Sequence, residues 1–125
     1  MEGTGREPAR VLVVDDHPAY RSVMRDVVEA TPGLELAGEA TSGEEAMEVV
    51  ERLAAQVVIM DKRMPGMGGL DACRAITRRH PGVAVILCSV EDHDHDAVNT
   101  YGAAAVIRKQ DLSPATLQRV LAPLL

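Results

Sequence analysis

Short apolar runs recur along this chain between amphipathic segments, and their regular alternation limits the folds that the chain can adopt. Four runs are continuous and rich in β-branched or small residues, which is typical of strands buried on both faces of a parallel sheet. They span residues 10–14, 57–60, 83–88 and 103–107. A fifth run, Leu34 to Ala37, alternates apolar and polar residues. We therefore expect a strand with one solvent-exposed face and place it at an edge of the sheet.

The segments between these runs have the 3.6-residue period of amphipathic helices. Pro18 suits the first turn of the first helix, and Ser42 to Glu45 has capping-box spacing at the start of the second. Further helices are predicted over 70–79, over 92–100 and from Ser113, the last with an apolar face of Leu117, Val120, Leu121 and Leu124. Strand and helix alternate five times, which predicts a doubly wound α/β fold with a five-stranded parallel sheet.

The length of 125 residues allows one domain with a core and is too short for two. Residues 1–9 are small, polar and aperiodic, so we expect a flexible leader followed by a domain over 10–125. A net charge of −6 and the scarcity of aromatic residues argue against nucleic-acid contact. No apolar run approaches a membrane span and no signal peptide is seen, so we expect a cytoplasmic protein with two reduced thiols, Cys73 and Cys88.

Residues with phosphate or metal chemistry follow four of the five runs. Asp15 and Asp16 follow the first run, Asp61 follows 57–60, Ser89 follows 83–88, and Lys109 comes just after 103–107. Ligands of open α/β sheets bind beyond the carboxyl ends of the strands, so we expect these side chains to form one site.

Three neighbouring carboxylates raise each other's pKa unless cations compensate them. Lys109 supplies one positive charge, and Mg²⁺, a hard ion that prefers oxygen ligands, is the expected source of the rest. An alternative is that Asp15 and Asp16 only cap the first helix. Capping explains one of these carboxylates and leaves Asp61 and Lys109 unexplained.

Four stretches, "VLVVDDHPAYR", "VVIMDKRMPGMGGLDA", "ILCS" and "AAAVIRK", resemble the receiver domain of bacterial two-component response regulators. The similarity covers residues 9–125. The details "DDHP", "MPGMGGL" and "KQDLSP" are most similar to receivers that precede LuxR/NarL-type helix-turn-helix output domains. The resemblance implies the flavodoxin-like receiver fold with strand order 2-1-3-4-5.

The resemblance also implies roles for the site residues. Asp61 would accept a phosphoryl group from a sensor histidine kinase, while Lys109 and Ser89 would bind phosphoryl oxygens. Mg²⁺ would be held directly by Asp16, Asp61 and the backbone carbonyl of Arg63, and through water by Asp15. Such a domain catalyses only its own phosphorylation and dephosphorylation, so it is not an enzyme in the usual sense. Ser89 would trigger a face formed by residues 92–125, which would contact an output domain or a second copy.

Three positions depart from the family pattern. Val106 stands where an aromatic residue is usual, so coupling to the output face is expected to rely on loop movement. Gln110 replaces a frequent proline, and because a non-proline cis bond costs about 3 kcal/mol we expect a trans Lys109–Gln110 bond. Val90 replaces a frequent alanine and is expected to narrow access to the phosphoryl site.

Two other functions fit parts of the pattern. A receiver-like docking module would keep the fold without control by phosphorylation. A haloacid dehalogenase phosphatase also has a nucleophilic Asp after its first strand, but it needs a second Asp where this chain has His17, and there is no room for a substrate cap. The stretch "EDHDHD", residues 91–96, is better explained as a solvated loop and helix start than as a metal site.

Overall fold

The fold is a five-stranded parallel sheet with helices on both faces. A computed structural model describes residues 7–90 and 95–125, except for the side chain of His95. The strands are β1 (Ala9–Val14), β2 (Leu34–Ala40), β3 (Val57–Asp61), β4 (Ala84–Ser89) and β5 (Ala105–Arg108). The helices are α1 (Pro18–Ala30), α2 (Gly43–Arg52), α3 (Gly69–Arg79), α4 (His95–Asn99) and α5 (Pro114–Leu121). The strand order is β2-β1-β3-β4-β5, which confirms the predicted fold class.

Two apolar clusters cover the two faces of the sheet. Leu12, Val58 and Leu87 point to the face that packs on α2, α3 and α4. The alternate strand residues, such as Val13 and Ile59, point to the face covered by α1 and α5. Because both faces are covered, the central strands contain continuous apolar runs, at 11–14, 57–60 and 84–88, and this is the pattern that identified them in the sequence.

Helix starts follow the predicted local chemistry. Pro18 occupies the first turn of α1. The Ser42 hydroxyl accepts a hydrogen bond from the Glu45 amide, and Ser113 caps α5 in the same way. The predicted α5 face is correct for Leu117, Val120 and Leu121, of which Val120 is partly buried. Leu124 lies beyond the helix end and is 48 % exposed.

The edge strand β2 runs three residues further than predicted. Its pairing with β1 shifts between Val11 and Leu12, whose partners are Leu36 and Gly38, so Ala37 is an extra residue in the ladder. This β-bulge reverses the phase of the apolar–polar alternation, so the alternating pattern stops at Ala37 although the strand continues to Ala40.

Other element bounds also differ slightly from those expected. Ala9, expected in the leader, is the first residue of β1, and its amide donates to the Gly33 carbonyl at 2.9 Å. Strand β5 begins at Ala105 rather than at 103, and α4 covers 95–99. Residues 1–6 of the leader and 91–94 of the "EDHDHD" stretch lie outside the described residues.

The two cysteines lie on opposite faces of the sheet. Cys73 belongs to the cluster beneath α2 and α3, and Cys88 to the cluster beneath α1 and α5. Both thiols are free, as predicted, and both are buried, which raises the pKa of each to about 12. In the part of the chain that the structure describes, no helix has the length and apolar character needed to cross a membrane.

Candidate functional site

The carboxyl ends of the parallel strands bring the predicted polar residues to one rim of the sheet. Asp61 is the last residue of β3 and Ser89 the last of β4, and the β3–β4 register pairs Asp61 with Cys88, the neighbour of Ser89. Asp15 follows β1, and Lys109 follows β5. Asp15, Asp61 and Ser89 are all buried, so the rim forms a recessed polar site.

Lys109 lies between two buried carboxylates. Its Nζ is 3.3 Å from Asp61 Oδ2 and 3.6 Å from Asp15 Oδ2. The Lys109 side chain is only 21 % exposed, so water screens these ion pairs less than it would on an open surface. One ammonium group therefore faces two carboxylates, and Asp16 adds a third at the same rim.

The loop after β1 holds its carboxylates through short local contacts. The His17 amide donates to Asp15 Oδ1 at 2.8 Å, which fixes a buried side chain in a tight turn. The His17 ring nitrogen Nδ1 lies 3.3 Å from Asp15 Oδ1 and 3.3 Å from Asp16 Oδ1. Asp15 Oδ2 and Asp16 Oδ1 are buried oxygens without a hydrogen-bond donor among the described residues.

Burial is the largest influence on Asp61. Desolvation raises the pKa of this carboxyl above its ordinary value, and the nearby Asp15 adds to that effect. The Arg63 amide, which donates to Asp61 Oδ1 at 3.3 Å, and the Lys109 ammonium both oppose it. The net shift of this pKa is upward, so the protein alone makes the carboxylate form of Asp61 less favourable than it is in water.

The site has the composition and spacing of a centre for a hard cation. Ligand atoms of Asp15, Asp16, His17 and Asp61 all lie within 4.8 Å of one another. Carboxylate oxygens are preferred ligands of Mg²⁺, and buried oxygens without donors are the groups that a bound ion would satisfy. His17 was not predicted as a member of this site, although its position directly after Asp15 and Asp16 is a signal that the sequence contains.

A second residue that the sequence analysis missed is Tyr20. Its hydroxyl donates to the Lys109 carbonyl at 2.9 Å, and the Lys109 Nζ lies 4.5 Å from the centre of its ring. The aromatic ring and the ammonium thus form a cation–π contact in addition to the hydrogen bond. The helical period of the sequence is consistent with Tyr20 on the apolar face of α1, and it contains no signal of a partner that is 89 residues away in the chain.

The glycine-rich loop after β3 packs directly against the backbone of Asp61. A Cβ atom at Gly69 would lie 2.1 Å from the Asp61 carbonyl oxygen and 2.8 Å from the Lys62 Cα. The Gly69 amide donates to the Lys62 carbonyl at 2.9 Å. Gly66 has a φ of +75°, in the left-handed region that glycine adopts without steric cost.

The structure thus places the Lys109 ammonium against Asp15 and Asp61, with Asp16 close to both carboxylates. The chemical roles of these four residues stay predictions. Ser89 is buried at the end of the neighbouring strand. Arg63 contacts Asp61 through its amide, while the role expected of its carbonyl stays a prediction.

The three departures from the family pattern also have defined places. Val106 is half-buried against the apolar cluster on the sheet face that packs on α2, α3 and α4, and Val90 is 75 % exposed. No cis peptide bond occurs among the described residues, so Lys109–Gln110 is trans, as expected, at the start of a 3₁₀ turn. The expected effect of Val90 on access stays a prediction.

Comparison with known proteins relates this chain to a protein family. The profile of the response regulator receiver domain matches residues 11–121. The chain is 31 % identical over 120 residues to the nitrate/nitrite response regulator protein NarL of Escherichia coli (strain K12), covering 94 % of this chain and 55 % of NarL. It is 38 % identical over 124 residues to the protein-glutamate methylesterase/protein-glutamine glutaminase of Pyrococcus abyssi, covering 97 % of this chain and 33 % of that protein.

A solved structure agrees with the sequence relatives. The signal receiver domain of Mycobacterium tuberculosis NarL superposes with a TM-score of 0.80 at 29 % identity, covering 92 % of this chain and 98 % of that one. The present chain spans about half the length of E. coli NarL. The profile match, the strand order and the similarity to receivers of NarL type support one conclusion: this chain belongs to the family of response regulator receiver domains.

Proposed function

We propose that this domain is a phosphorylation-controlled switch in which Asp61 accepts a phosphoryl group from a phosphohistidine of a sensor histidine kinase. The observation that carries the proposal is the contact of Lys109 with Asp61 at 3.3 Å, inside a buried rim that also holds Asp15 and Asp16. This arrangement combines a carboxylate nucleophile with one fixed cation and two further acidic groups. A domain used only for docking has no need to bury so many charges together.

The proposed transfer is an in-line displacement at phosphorus. An Asp61 carboxylate oxygen forms the new P–O bond while the P–N bond of the phosphohistidine breaks, and the electron pair of that bond goes to the leaving imidazole nitrogen. Lys109 exchanges part of its contact with Asp61 for a phosphoryl oxygen, and the Ser89 hydroxyl donates to another phosphoryl oxygen. A water oxygen then attacks the phosphorus in line, the P–O bond to Asp61 breaks, and the electron pair of that bond restores the carboxylate. The phosphoryl group leaves as inorganic phosphate, and the proton of the water goes to the phosphate or to solvent.

The acidic rim fits Mg²⁺ because its oxygens are hard donors and two of them are buried without hydrogen-bond donors in the described part of the chain. Asp16, Asp61 and the Arg63 carbonyl would hold the ion directly, and Asp15 through water. When bound, Mg²⁺ neutralises the carboxylates and the phosphoryl oxygens during transfer. The chain itself supplies the nucleophile, the ammonium of Lys109 and the hydroxyl of Ser89.

The Mg²⁺ assignment predicts a graded response to substitution. Asp16→Ala and Asp61→Ala should each weaken Mg²⁺ binding severely because each removes a direct oxygen, while Asp15→Ala should weaken it less. Calorimetric titration of each variant measures this, with the exposed Asp71→Ala on α3 as the matched control. Binding by Asp16→Ala at the strength of the parent would refute the ligand set.

The phosphoacceptor role is tested by incubating the protein with Mg²⁺ and acetyl phosphate and measuring intact mass. One added phosphoryl group is expected in the parent and in Asp71→Asn, and none in Asp61→Asn. The adduct should also disappear at alkaline pH with hydroxylamine, which cleaves acyl phosphates. If no adduct forms with acetyl phosphate, with phosphoramidate or with a phosphorylated kinase, the chain is a docking module that phosphorylation does not control.

The process that this domain would control is also a proposal, because its relatives have different named functions. E. coli NarL is a nitrate/nitrite response regulator, and the similar Pyrococcus abyssi protein is a methylesterase/glutaminase. The similarity to NarL favours a linked output domain that regulates transcription. We assign the contact with that domain, or with a second copy, to the face formed by residues 92–125.

A further inference from the structure

His17 places an imidazole nitrogen at ligand distance from the acidic rim. Its Nδ1 is equally far, 3.3 Å, from Asp15 Oδ1 and from Asp16 Oδ1. Neighbouring ligand atoms of an octahedral ion lie about 3 Å apart when each is about 2.1 Å from the ion. The nitrogen and the Asp16 oxygen are therefore spaced as adjacent ligands of one cation.

Two buried oxygens of the acidic rim point independently to a bound cation. The Asp15 side chain is fully buried, yet its Oδ2 has no hydrogen-bond donor among the described residues. Asp16 Oδ1, the oxygen that faces the His17 ring, is also buried without a donor in the described part of the chain. A cation between these residues would satisfy both oxygens.

The backbone leaves the His17 ring available for coordination. His17 is the N-cap residue of α1 with extended backbone angles, φ −94° and ψ 114°, and its side chain makes no capping hydrogen bond. The ring is 68 % exposed, so it can exchange solvent for an ion without repacking the core. The order Asp15-Asp16-His17 thus presents two carboxylates and one imidazole from a single turn.

A nitrogen donor changes which ions a site prefers. Mg²⁺ favours oxygen ligands, whereas imidazole suits first-row transition ions such as Mn²⁺, Co²⁺ and Ni²⁺. We propose that His17 is a nitrogen ligand of the ion held by Asp15, Asp16 and Asp61, and that it shifts the selectivity of the site from Mg²⁺ toward divalent transition ions. This inference rests on the proposed function, because it requires the same carboxylates to bind a cation.

Titration of untagged protein with Mg²⁺, Mn²⁺ and Ni²⁺ at pH 8, where an ordinary imidazole is neutral, tests the selectivity. Even second-shell changes at metal sites cost about 10-fold or more in affinity, so His17→Ala should weaken Ni²⁺ binding by at least about 10-fold. Its Mg²⁺ affinity should stay within about 3-fold of the parent, since no oxygen ligand is lost. His80→Ala is the matched control, because His80 lies at the end of α3 and faces Glu51 rather than the acidic rim.

A spectroscopic measurement separates direct coordination from an indirect effect. With Mn²⁺ bound, pulsed electron paramagnetic resonance should detect coupling to an imidazole ¹⁴N in the parent and in His80→Ala, and no such coupling in His17→Ala. Absence of the coupling in the parent, or unchanged Ni²⁺ affinity in His17→Ala, overturns the inference.

The outcomes distinguish this inference from the proposed function. If Mg²⁺ binds through Asp16 and Asp61 but the Ni²⁺ affinity is the same with and without His17, the inference is wrong and the proposed function stands. If transition ions bind through His17 but Asp61 takes no phosphoryl group, the proposed function fails alone. If no divalent ion binds the parent, both are wrong.

Discussion

At the scale of single residues, the site concentrates negative charge that the protein alone only partly compensates. The Lys109 ammonium contacts the acidic rim and is shared by Asp15 and Asp61. Burial raises the pKa of Asp61 despite that contact. The site is therefore arranged to gain stability when a cation or a change in protonation removes negative charge.

This charge imbalance predicts the effect of Asp61→Asn without metal. Because the pKa of Asp61 is higher in the folded than in the unfolded chain, its contribution to stability is fully present below the unfolded value of about 4 and is lost as pH rises through the folded value. Asp61→Asn should therefore raise the melting temperature at pH 7 in the presence of a chelator, and the gain should shrink as pH falls toward about 4.

Thermal melts over this pH range measure the effect, with Asp71→Asn as the surface control. Adding Mg²⁺ should stabilise the parent by mass action and reduce the advantage of Asp61→Asn. A melting temperature of Asp61→Asn below that of the metal-free parent at pH 7 would show that the Lys109–Asp61 pair outweighs the cost of burying the carboxylate.

The contact between Tyr20 and Lys109 gives a second prediction at this scale. Tyr20→Phe keeps the ring beside the ammonium but removes the hydrogen bond to the Lys109 carbonyl, so it should cost about 1 kcal/mol of stability and slow phosphorylation of Asp61. Tyr20→Leu removes both contacts and should slow phosphorylation further. Denaturant unfolding and the rate with acetyl phosphate measure these effects, and Tyr101→Phe is the control. A phosphorylation rate unchanged in Tyr20→Leu would mean that Lys109 is positioned without this ring.

The sequence predicted the carboxylates of the site and missed Tyr20 for a physical reason. The positions of Asp15 and Asp61 follow from the rule that parallel strands end at one rim, which needs only local apolar runs. The Tyr20 contact depends on α1 crossing to the end of β5, and the 3.6-residue period contains no information about that distance. Likewise, the position of Lys109 in the sequence does not reveal which aromatic ring lies beside its ammonium group.

At the scale of elements, the loop between β3 and α3 sets the position of the phosphoacceptor candidate. Gly69 packs so closely on the Asp61 carbonyl that any side chain must displace the end of β3 or the start of α3. Gly69→Ala should therefore destabilise the fold by about 1–3 kcal/mol, as overpacking commonly does, and should slow phosphorylation more than stability loss alone explains.

The matched control for this prediction is Gly82→Ala, because a Cβ at Gly82 would meet no atom within 4 Å and its φ is not in the left-handed region. Denaturant unfolding of both variants and the phosphorylation rate at a temperature where each is fully folded separate stability from positioning. Equal unfolding free energies for the two alanine variants would contradict the predicted clash.

The edge strand shows how far element bounds can be predicted from pattern alone. The existence and edge position of β2 followed from the alternation in Leu34 to Ala37, and both are confirmed. Its continuation to Ala40 was missed because the bulge at Ala37 shifts the phase of the side chains. A bulge is a property of the pairing between two strands, so one strand read alone does not indicate it.

At the scale of the whole molecule, the sheet connects the acidic rim to the proposed output face. Ser89 pairs with Arg108 in the β4–β5 ladder, and Leu87 pairs with Val106. Val106 and Ala97 of α4 both pack with the cluster beneath α2 and α3. A displacement of Ser89 can therefore reach β5 and α4 through adjacent backbone pairs and shared packing, without a large aromatic side chain at position 106.

This connection predicts the spread of changes when Asp61 carries a phosphoryl mimic. In the presence of Mg²⁺ and beryllofluoride, backbone amide chemical shifts should change at Ser89, along β5 and in α4, and change little in β2 at the opposite sheet edge. Ser89→Ala removes the hydroxyl that would bind the mimic, so the distal changes should shrink to less than about half while Mg²⁺ still binds. Ser22→Ala on α1 is the control, because Ser22 contacts Arg25 and lies away from the β4–β5 ladder. If Ser89→Ala leaves the changes in β5 and α4 at full size, the hydroxyl is not the trigger, and the β4–β5 ladder responds to Asp61 through the Lys109 contact instead.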